Sequence, residues 1–495
     1  MTLTSLITAA EGFPALERLC HAAQHELVMS FRILDPRTRL RSPELRAQGM
    51  QTWADLLADV AGRGVTLRMI ISDFDPVFTA SLHRGAWRSA SGFAERLSGD
   101  LQILCAPHGQ NAGWLWRWAM RGKIARYIAE LRQEEETALT PVQHAVLKGA
   151  VLLRPVTIHQ KFAVADGHAC VIGGLDINER RFDTPEHDRP ADETWHDVSM
   201  QVDDAEFSAV LRAHFDDCWN AALDCDTPCV TGTATRREAS GHPQAPQDLR
   251  LVRTFSAPCP GAARLSPRAT ITEHEKTVIA MIGEARRNIY IETQFLRHRP
   301  VAEALAKAGA RNADLQLVLL MPSFPDRVLY EGNDGWDTRH GHALQTEAVT
   351  RVQRAFGDRA AIVSPGQHEA PPEDVPDLLG SGPIYVHSKV MLVDDRVGLV
   401  GSANLNGRSL RWDTEASILF RRPDAVHELQ RRLAQTWLGD HLNGRDPVAA
   451  RTWRQAALAN AAHPPEDREG FILPYPQAAG RRFARALPIL PADMF

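Results

Sequence analysis

Hydrophobic and polar positions along this chain predict one order of elements, and the order occurs twice. Residues 16–23 predict a helix, and the apolar run at 26–34 (ELVMSFRIL) predicts a buried strand ending at Asp35-Pro36. Residues 53–61 carry apolar positions at helical spacing and stop at Gly62 and Gly64, and the run at 65–72 (VTLRMIIS) is the next strand. The second half repeats this with helices at 276–285 and 301–308 and strands at 288–295 and 314–321. Each series is followed by an apolar strand that carries polar residues at fixed places. Such alternation implies an α/β sheet in each half.

Those two later strands are near-twins. Residues 157–178 read TIHQKFAVADGHACVIGGLDIN, and the stretch at 385–415 reads YVHSKVMLVDDRVGLVGSANLNGRSLRWDTE. His159, Lys161 and Asp166 fall on His387, Lys389 and Asp394 at one offset, since 387 − 159, 389 − 161 and 394 − 166 all equal 228. The same offset carries Gly173 onto Gly401, Asp176 onto Asn404 and Asn178 onto Asn406. Residues two apart in a strand share a face, so each copy presents an imidazole and an ammonium together. One copy alone fits a strand that happens to carry His and Lys; a second copy at an unbroken offset argues for a shared site. The apolar residues after each Lys predict strand core running into a turn at Asp-Gly or Asp-Asp.

Bringing the copies together would set two His, two Lys and two Asn- or Asp-bearing turns around one point, which offers what cleavage of a phosphodiester needs: a nucleophile, a proton donor for the leaving alcohol and positive groups around the phosphoryl oxygens. Two imidazoles can divide the first two tasks near neutral pH, because their ordinary pKa is about 6.5. Lys161 and Lys389 would supply charge, and Asn178, Asn404 and Asn406 further hydrogen bonds to substrate. Each imidazole needs its second nitrogen held. Asp197 and Glu415 stand at equivalent places, just before the strands VSMQV and ASILF, which predicts Asp197 on His159 and Glu415 on His387. A surface acid at a strand start is the competing reading for each. Asp166 and Asp394 lie farther along and are expected to brace turns, and Asp176 is grouped with them as a motif position. The scheme calls for no metal and no cofactor.

At these residues the chain resembles the phospholipase D superfamily, whose mark is two HxKxxxxD motifs in one active site. The likeness extends to GGLDIN and GSANLN after the two copies, to FDTPEH at 182–187 and to IETQF at 291–295, over about residues 15–440. These pieces look like the lipid-acting branch rather than the short nuclease branch. One departure is Arg411 and Trp412, where the family often has a glycine, which predicts an unusual pocket rim. The resemblance implies two similar phospholipase D-like α/β domains about a pseudo-twofold axis. It also implies that His159 attacks to form a phosphohistidine while His387 serves as acid and then base. The expected substrate is a glycerophospholipid and the acceptor water or an alcohol. A cardiolipin synthase-type phosphatidyltransferase is the near alternative, a nuclease or other phosphodiesterase the farther one, and a non-catalytic scaffold a different class.

Composition narrows this picture. With 495 residues, 44% hydrophobic and 24% charged, the chain is long enough for two or three globular domains. A net charge of −5 argues against a surface built throughout to grip nucleic acid. The composition of 231–249 is that of a linker. The expected domains are therefore 1–230 and 250–450, each with one motif, followed by a tail at 451–495. Seven cysteines show no repeated Cys-x-x-Cys pair, and Cys225, Cys229 and His214 have poor spacing for a metal. Neither a signal peptide nor a membrane span is read, so the expected location is cytoplasmic, with peripheral membrane contact from that side. An insertion without counterpart, GWLWRWAMRGKIARYI at 113–128, interleaves Trp114, Trp116 and Trp118 with Arg117, Arg121, Lys123 and Arg126. It fits a bilayer headgroup boundary, while burial, the commoner use of large aromatics, favours a helix packed on its own domain.

Overall fold

The apolar runs become central strands because both of their faces are covered. The computed structural model describes residues 2–238, 241, 243–329, 335–373, 375–487 and 491–495. Of the linker expected at 231–249, residues 239, 240 and 242 lie outside the described residues. The first sheet comprises β1 (Thr2–Ile7), β2 (Glu26–Phe31), β3 (Thr66–Ser72), β4 (Leu101–Ala106), β5 (Phe162–Ala165), β6 (Ala169–Gly173) and β7 (Val198–Asp203), in the order β1-β7-β6-β5-β2-β3-β4. The second comprises β8 (Leu249–Ala257), β9 (Arg268–Thr272), β10 (Asn288–Glu292), β11 (Gln316–Leu320), β12 (Ala360–Pro365), β13 (Val390–Val393), β14 (Val397–Gly401), β15 (Glu415–Phe420) and β16 (Ile472–Pro474). Its order, β16-β12-β11-β10-β13-β14-β15-β8-β9, contains the first sheet's order strand for strand, with β9 and β16 added at the edges.

In each sheet the helix-connected strands run parallel, β2-β3-β4 and β10-β11-β12, and the motif hairpin joins antiparallel beside them. The outer faces lie under helices. Leu27, Met29, Leu67 and Met69 pack with helices Thr8–Ala22 and Trp53–Gly62, and Ile289, Ile291, Leu317 and Leu319 pack with Glu273–Glu284 and Arg299–Arg311. The inner faces share one core: Phe162, Val164, Ile172 and Met200 join Val390, Leu392, Val400 and Ile418, together with Trp219 and Trp437. Burial of that shared apolar surface holds the halves against each other. The chain after residue 450 contributes helix Ala450–Ala461 and β16, which pairs antiparallel with β12.

The two hairpin turns explain the Asp of each motif. Asp166 and Gly167 have φ of 52° and 67°, and Asp394 and Asp395 have φ of 53° and 52°, a left-handed turn that suits the strand twist. The Asp166 carboxylate accepts the backbone N–H groups of Gln24, His25 and Glu26, and Asp394 accepts those of Arg286, Arg287 and Asn288. Each Asp thereby pins its hairpin to the segment that opens the neighbouring parallel strand.

Candidate active site

His159 and Lys161 lie immediately before β5, and His387 and Lys389 immediately before β13, in the extended lead-in rather than in the strand proper. That lead-in pairs across the halves. Ile158 bridges Thr414 in parallel and Val386 bridges His196. The His159 N–H donates to Thr414 O at 2.8 Å, and the His387 N–H donates to His196 O at 2.8 Å. Each motif histidine is therefore set beside the residue that opens the other half's strand. His159 Nδ1 donates to both oxygens of Glu415, at 2.9 and 3.0 Å, and His387 Nδ1 donates to Asp197 Oδ2 at 2.7 Å.

This corrects the expected pairing of Asp197 with His159 and Glu415 with His387. Chain order makes the two acids equivalent but cannot distinguish a partner in the same half from one across the axis, and the backbone bridges decide for the latter. Both carboxylates are buried. A Cβ on Gly174 would lie 2.1 Å from Asp197 Oδ1, so glycine there leaves the carboxylate its space. The corresponding Ser402 instead donates its hydroxyl to Glu415.

Lys161 and Lys389 are buried, and each ammonium turns back onto the carbonyl of its own motif histidine. Burial dominates the electrostatics. It pushes both imidazoles well below their usual range, with Lys161 the next cause at His159 and Lys389 at His387. Burial lifts Asp197 to about 7 against the pull of Lys389, and Glu415 to about 8 against Lys161. Lys389 is pushed down to about 7 by burial, opposed first by Asp197. The imidazoles are thus neutral, with Nδ1–H directed to a carboxylate and Nε2 carrying the lone pair.

The polar cluster divides. Asn404 gives its Nδ2 to Gln294 Oε1 at 3.1 Å and keeps a buried Oδ1 without a partner. Asn178 and Asn406, expected to donate to substrate, use their Oδ1 atoms to accept the Arg181 and Ser409 N–H groups and so cap turns. Asp176, at the position of Asn404, accepts the Ile33 N–H and approaches Lys161 Nζ to 3.8 Å. Arg411 is bound to Glu275 and Asp493, and Trp412 is buried.

Sequence reasoning missed several contributors. Arg32 and Arg408 act on His159, and Arg181 on His387, as neighbouring positive charges. Arg408 is itself held by Asp413, which also accepts the Thr157 N–H. The Trp195 ring lies tilted beside His387, 4.6 Å between centroids, and carries the Arg181 guanidinium at 3.4 Å on its face. A signal was present: Arg180 and Arg408 obey the same offset, 408 − 180 = 228. Glu292 of the IETQF stretch is buried and accepts from Ser388, Tyr290 and Trp437, next to His196 at 3.3 Å.

A doubled α/β frame thus brings two carboxyl-held imidazoles and two buried lysines together where its two sheets meet. The domain family described as "Cardiolipin synthase, PLD-like domain" matches residues 278–437. Phospholipase D1 of Schizosaccharomyces pombe is 24% identical over 383 residues, covering 57% of this chain and 27% of that protein. Cardiolipin synthase A of Pseudomonas putida is 26% identical over 277 residues, covering 56% of this chain and 46% of that one. The chain therefore spans less than half the length of these curated relatives. The crystal structure of phosphatidylserine synthase from Haemophilus influenzae superposes with a TM-score of 0.54 at 13% identity, over 87% of this chain and 86% of that one, a likeness of fold. The chain is thus similar in sequence to phospholipases D and cardiolipin synthases.

Proposed function

We propose that this chain is a phospholipase D-type phosphodiesterase or transphosphatidylase that cleaves the headgroup phosphodiester of a glycerophospholipid through a phosphohistidine. The observation that carries the reading is the crossed pair of dyads, His159 with Glu415 and His387 with Asp197. The Nε2 lone pair of His159 attacks phosphorus, and the leaving alcohol oxygen takes a proton from His387 Nε2. His387 must first gain that proton. A bound phosphodiester anion offsets the positive charge of Lys389, Arg181 and Lys161 that depresses it. In the second step His387 removes a proton from water or an alcohol, whose oxygen attacks phosphorus and releases His159. Lys161, Lys389 and the amide of Asn404 stabilise the charge that develops on the phosphoryl oxygens.

The fold's likeness to a phosphatidylserine synthase and the family's cardiolipin synthase description support a phosphatidyltransferase as the second reading. In either case the proposed working units are 1–230 and 250–450, joined by 231–249, acting on a membrane touched peripherally from the cytoplasmic side. Among the described residues no helix is long and apolar enough to cross a membrane.

The test is intact-protein mass spectrometry after mixing His159→Ala and His387→Ala variants with a nitrophenyl phosphodiester. The adduct should be absent from the first and trapped on the second, whose release step lacks its base; the opposite result reverses the two roles. Lipid products from mixed phospholipid vesicles, with and without added alcohol, separate hydrolysis from transfer. If no phospholipid turns over, the lipid assignment fails.

A further inference from the structure

We infer that the insertion at 113–128 forms, with Phe78, a docking surface for an anionic phospholipid bilayer. The inference rests on the phospholipid reading above for its purpose, although its observations lie outside the two-histidine site. Helix Trp114–Ala119 buries none of its residues. Trp114 is 56% exposed, Trp118 61%, Leu115 40% and Phe78, from a neighbouring segment, 41%. Among the described residues these four are over half of the large apolar side chains left open, and they belong to one subdomain.

The charges of the segment are one-sided. No Asp or Glu occurs from Leu101 to Ala129, whereas Arg117, Arg121, Lys123 and Arg126 all do, in a chain whose net charge is −5. Among the described residues none of the four forms an ion pair. Two of them cover the open rings instead: the Arg121 guanidinium lies 4.5 Å from the Trp118 centroid and Lys123 Nζ 4.1 Å from that of Phe78. Ile124 and Tyr127 of helix Arg121–Leu131 turn into a small core with Val77 and Val146, which leaves Arg121, Lys123 and Arg126 facing outward. Amphipathic rings interleaved with unpaired cations match a headgroup layer, where rings enter the boundary and cations meet phosphates.

Trp116 has another role. Its indole N–H donates to Ala263 O at 2.9 Å, while the Leu115 and Gly113 N–H groups donate to Ala262 O and Arg264 O. The aromatic helix is thereby fastened to the loop after β8. That loop leads through Ser256, whose hydroxyl donates to Trp412 O, to the Asp413–Glu415 segment behind His159. The outward rings thus have a fixed bearing relative to the active site.

The test is cosedimentation with phosphatidylcholine vesicles, with and without phosphatidylglycerol, beside turnover of a soluble short-chain phosphodiester. The wild type should prefer the anionic vesicles, and salt should weaken the binding. Trp114→Ala/Trp118→Ala should bind about tenfold more weakly or worse. Arg117→Gln/Arg121→Gln/Lys123→Gln/Arg126→Gln should lose roughly a thousandfold and with it the anionic preference. Both variants should keep wild-type turnover of the soluble substrate, which also reports that they fold. The inference is overturned if the wild type binds both vesicles equally, or if both variants bind like wild type. Vesicle binding without phospholipid turnover supports the surface and counts against the proposed activity; soluble turnover without vesicle binding does the reverse.

Discussion

The crossed dyads make a prediction that parallel pairing would invert. Glu415 holds the proposed nucleophile through two contacts of 2.9 and 3.0 Å, and Asp197 holds the proposed acid through one of 2.7 Å. Glu415→Gln keeps the shape but allows the amide to present N–H where His159 Nδ1–H needs an acceptor. Leaving that buried donor unpaired costs about 1–3 kcal/mol, which is roughly 5- to 150-fold in rate. If the imidazole settles in the wrong tautomer, the loss can approach about 10⁴. With a nitrophenyl phosphodiester, whose leaving group needs no proton, Glu415→Gln should slow the burst of nitrophenolate by that range. Asp197→Asn should leave the burst close to wild type and slow only the steady state, because His387 then works mainly as base in the second step. Stopped-flow absorbance resolves the two phases. A burst that survives Glu415→Gln and vanishes in Asp197→Asn refutes either the crossed pairing as a working arrangement or His159 as nucleophile.

Three further outcomes follow from buried groups. Asp176→Asn removes the counter-charge 3.8 Å from Lys161, whose pKa burial already lowers and Asp176 opposes; Lys161 should then lose its proton at lower pH, and an unmoved alkaline limb of the soluble-substrate pH–rate profile counts against this. Asp394→Ala strips acceptors from three backbone N–H groups and should cost about 3 kcal/mol, read as a lower urea midpoint; a change within error means water replaces the carboxylate. His214 and His274 are fully buried with pKa values pushed down to about 3, chiefly by burial. The unfolded chain takes up these protons near 6.5 and the folded chain does not, so stability should fall as pH drops from about 6.5 toward 3. His214→Gln should flatten that slope in urea titrations at several pH values, and an unchanged slope removes His214 from the account.

Much of the frame was legible because periodicity and repetition are local properties. The parallel strands of each half follow from apolar runs bounded by Gly, Pro and Asp, and the constant offset placed His159 with His387 and Lys161 with Lys389 before any coordinates. The Asp-Gly and Asp-Asp turns were legible for the same reason. The arginines were less so. Arg180 and Arg408 obey the offset, but Arg32 sits where the second half has Gln294, so no repeat could point to it. Asn178 and Asn406 each cap a turn through Oδ1, a use that spacing along the chain does not reveal. The Trp-rich insertion stayed open between core and surface until accessibility separated Trp116, fastened to Ala263, from the outward Trp114 and Trp118.

By itself the sequence determined that two equivalent series of elements exist, which residue types they bring and that an imidazole and an ammonium recur at one offset, since each of these follows from spacing along one chain. Only the tertiary structure decided which acid serves which histidine. Asp197 and Glu415 are interchangeable by order, and the choice depends on two short parallel bridges, Ile158 with Thr414 and His196 with Val386, formed when the halves close over their shared core. Contacts across an axis are set by how two surfaces meet, and no local period along the chain encodes that meeting.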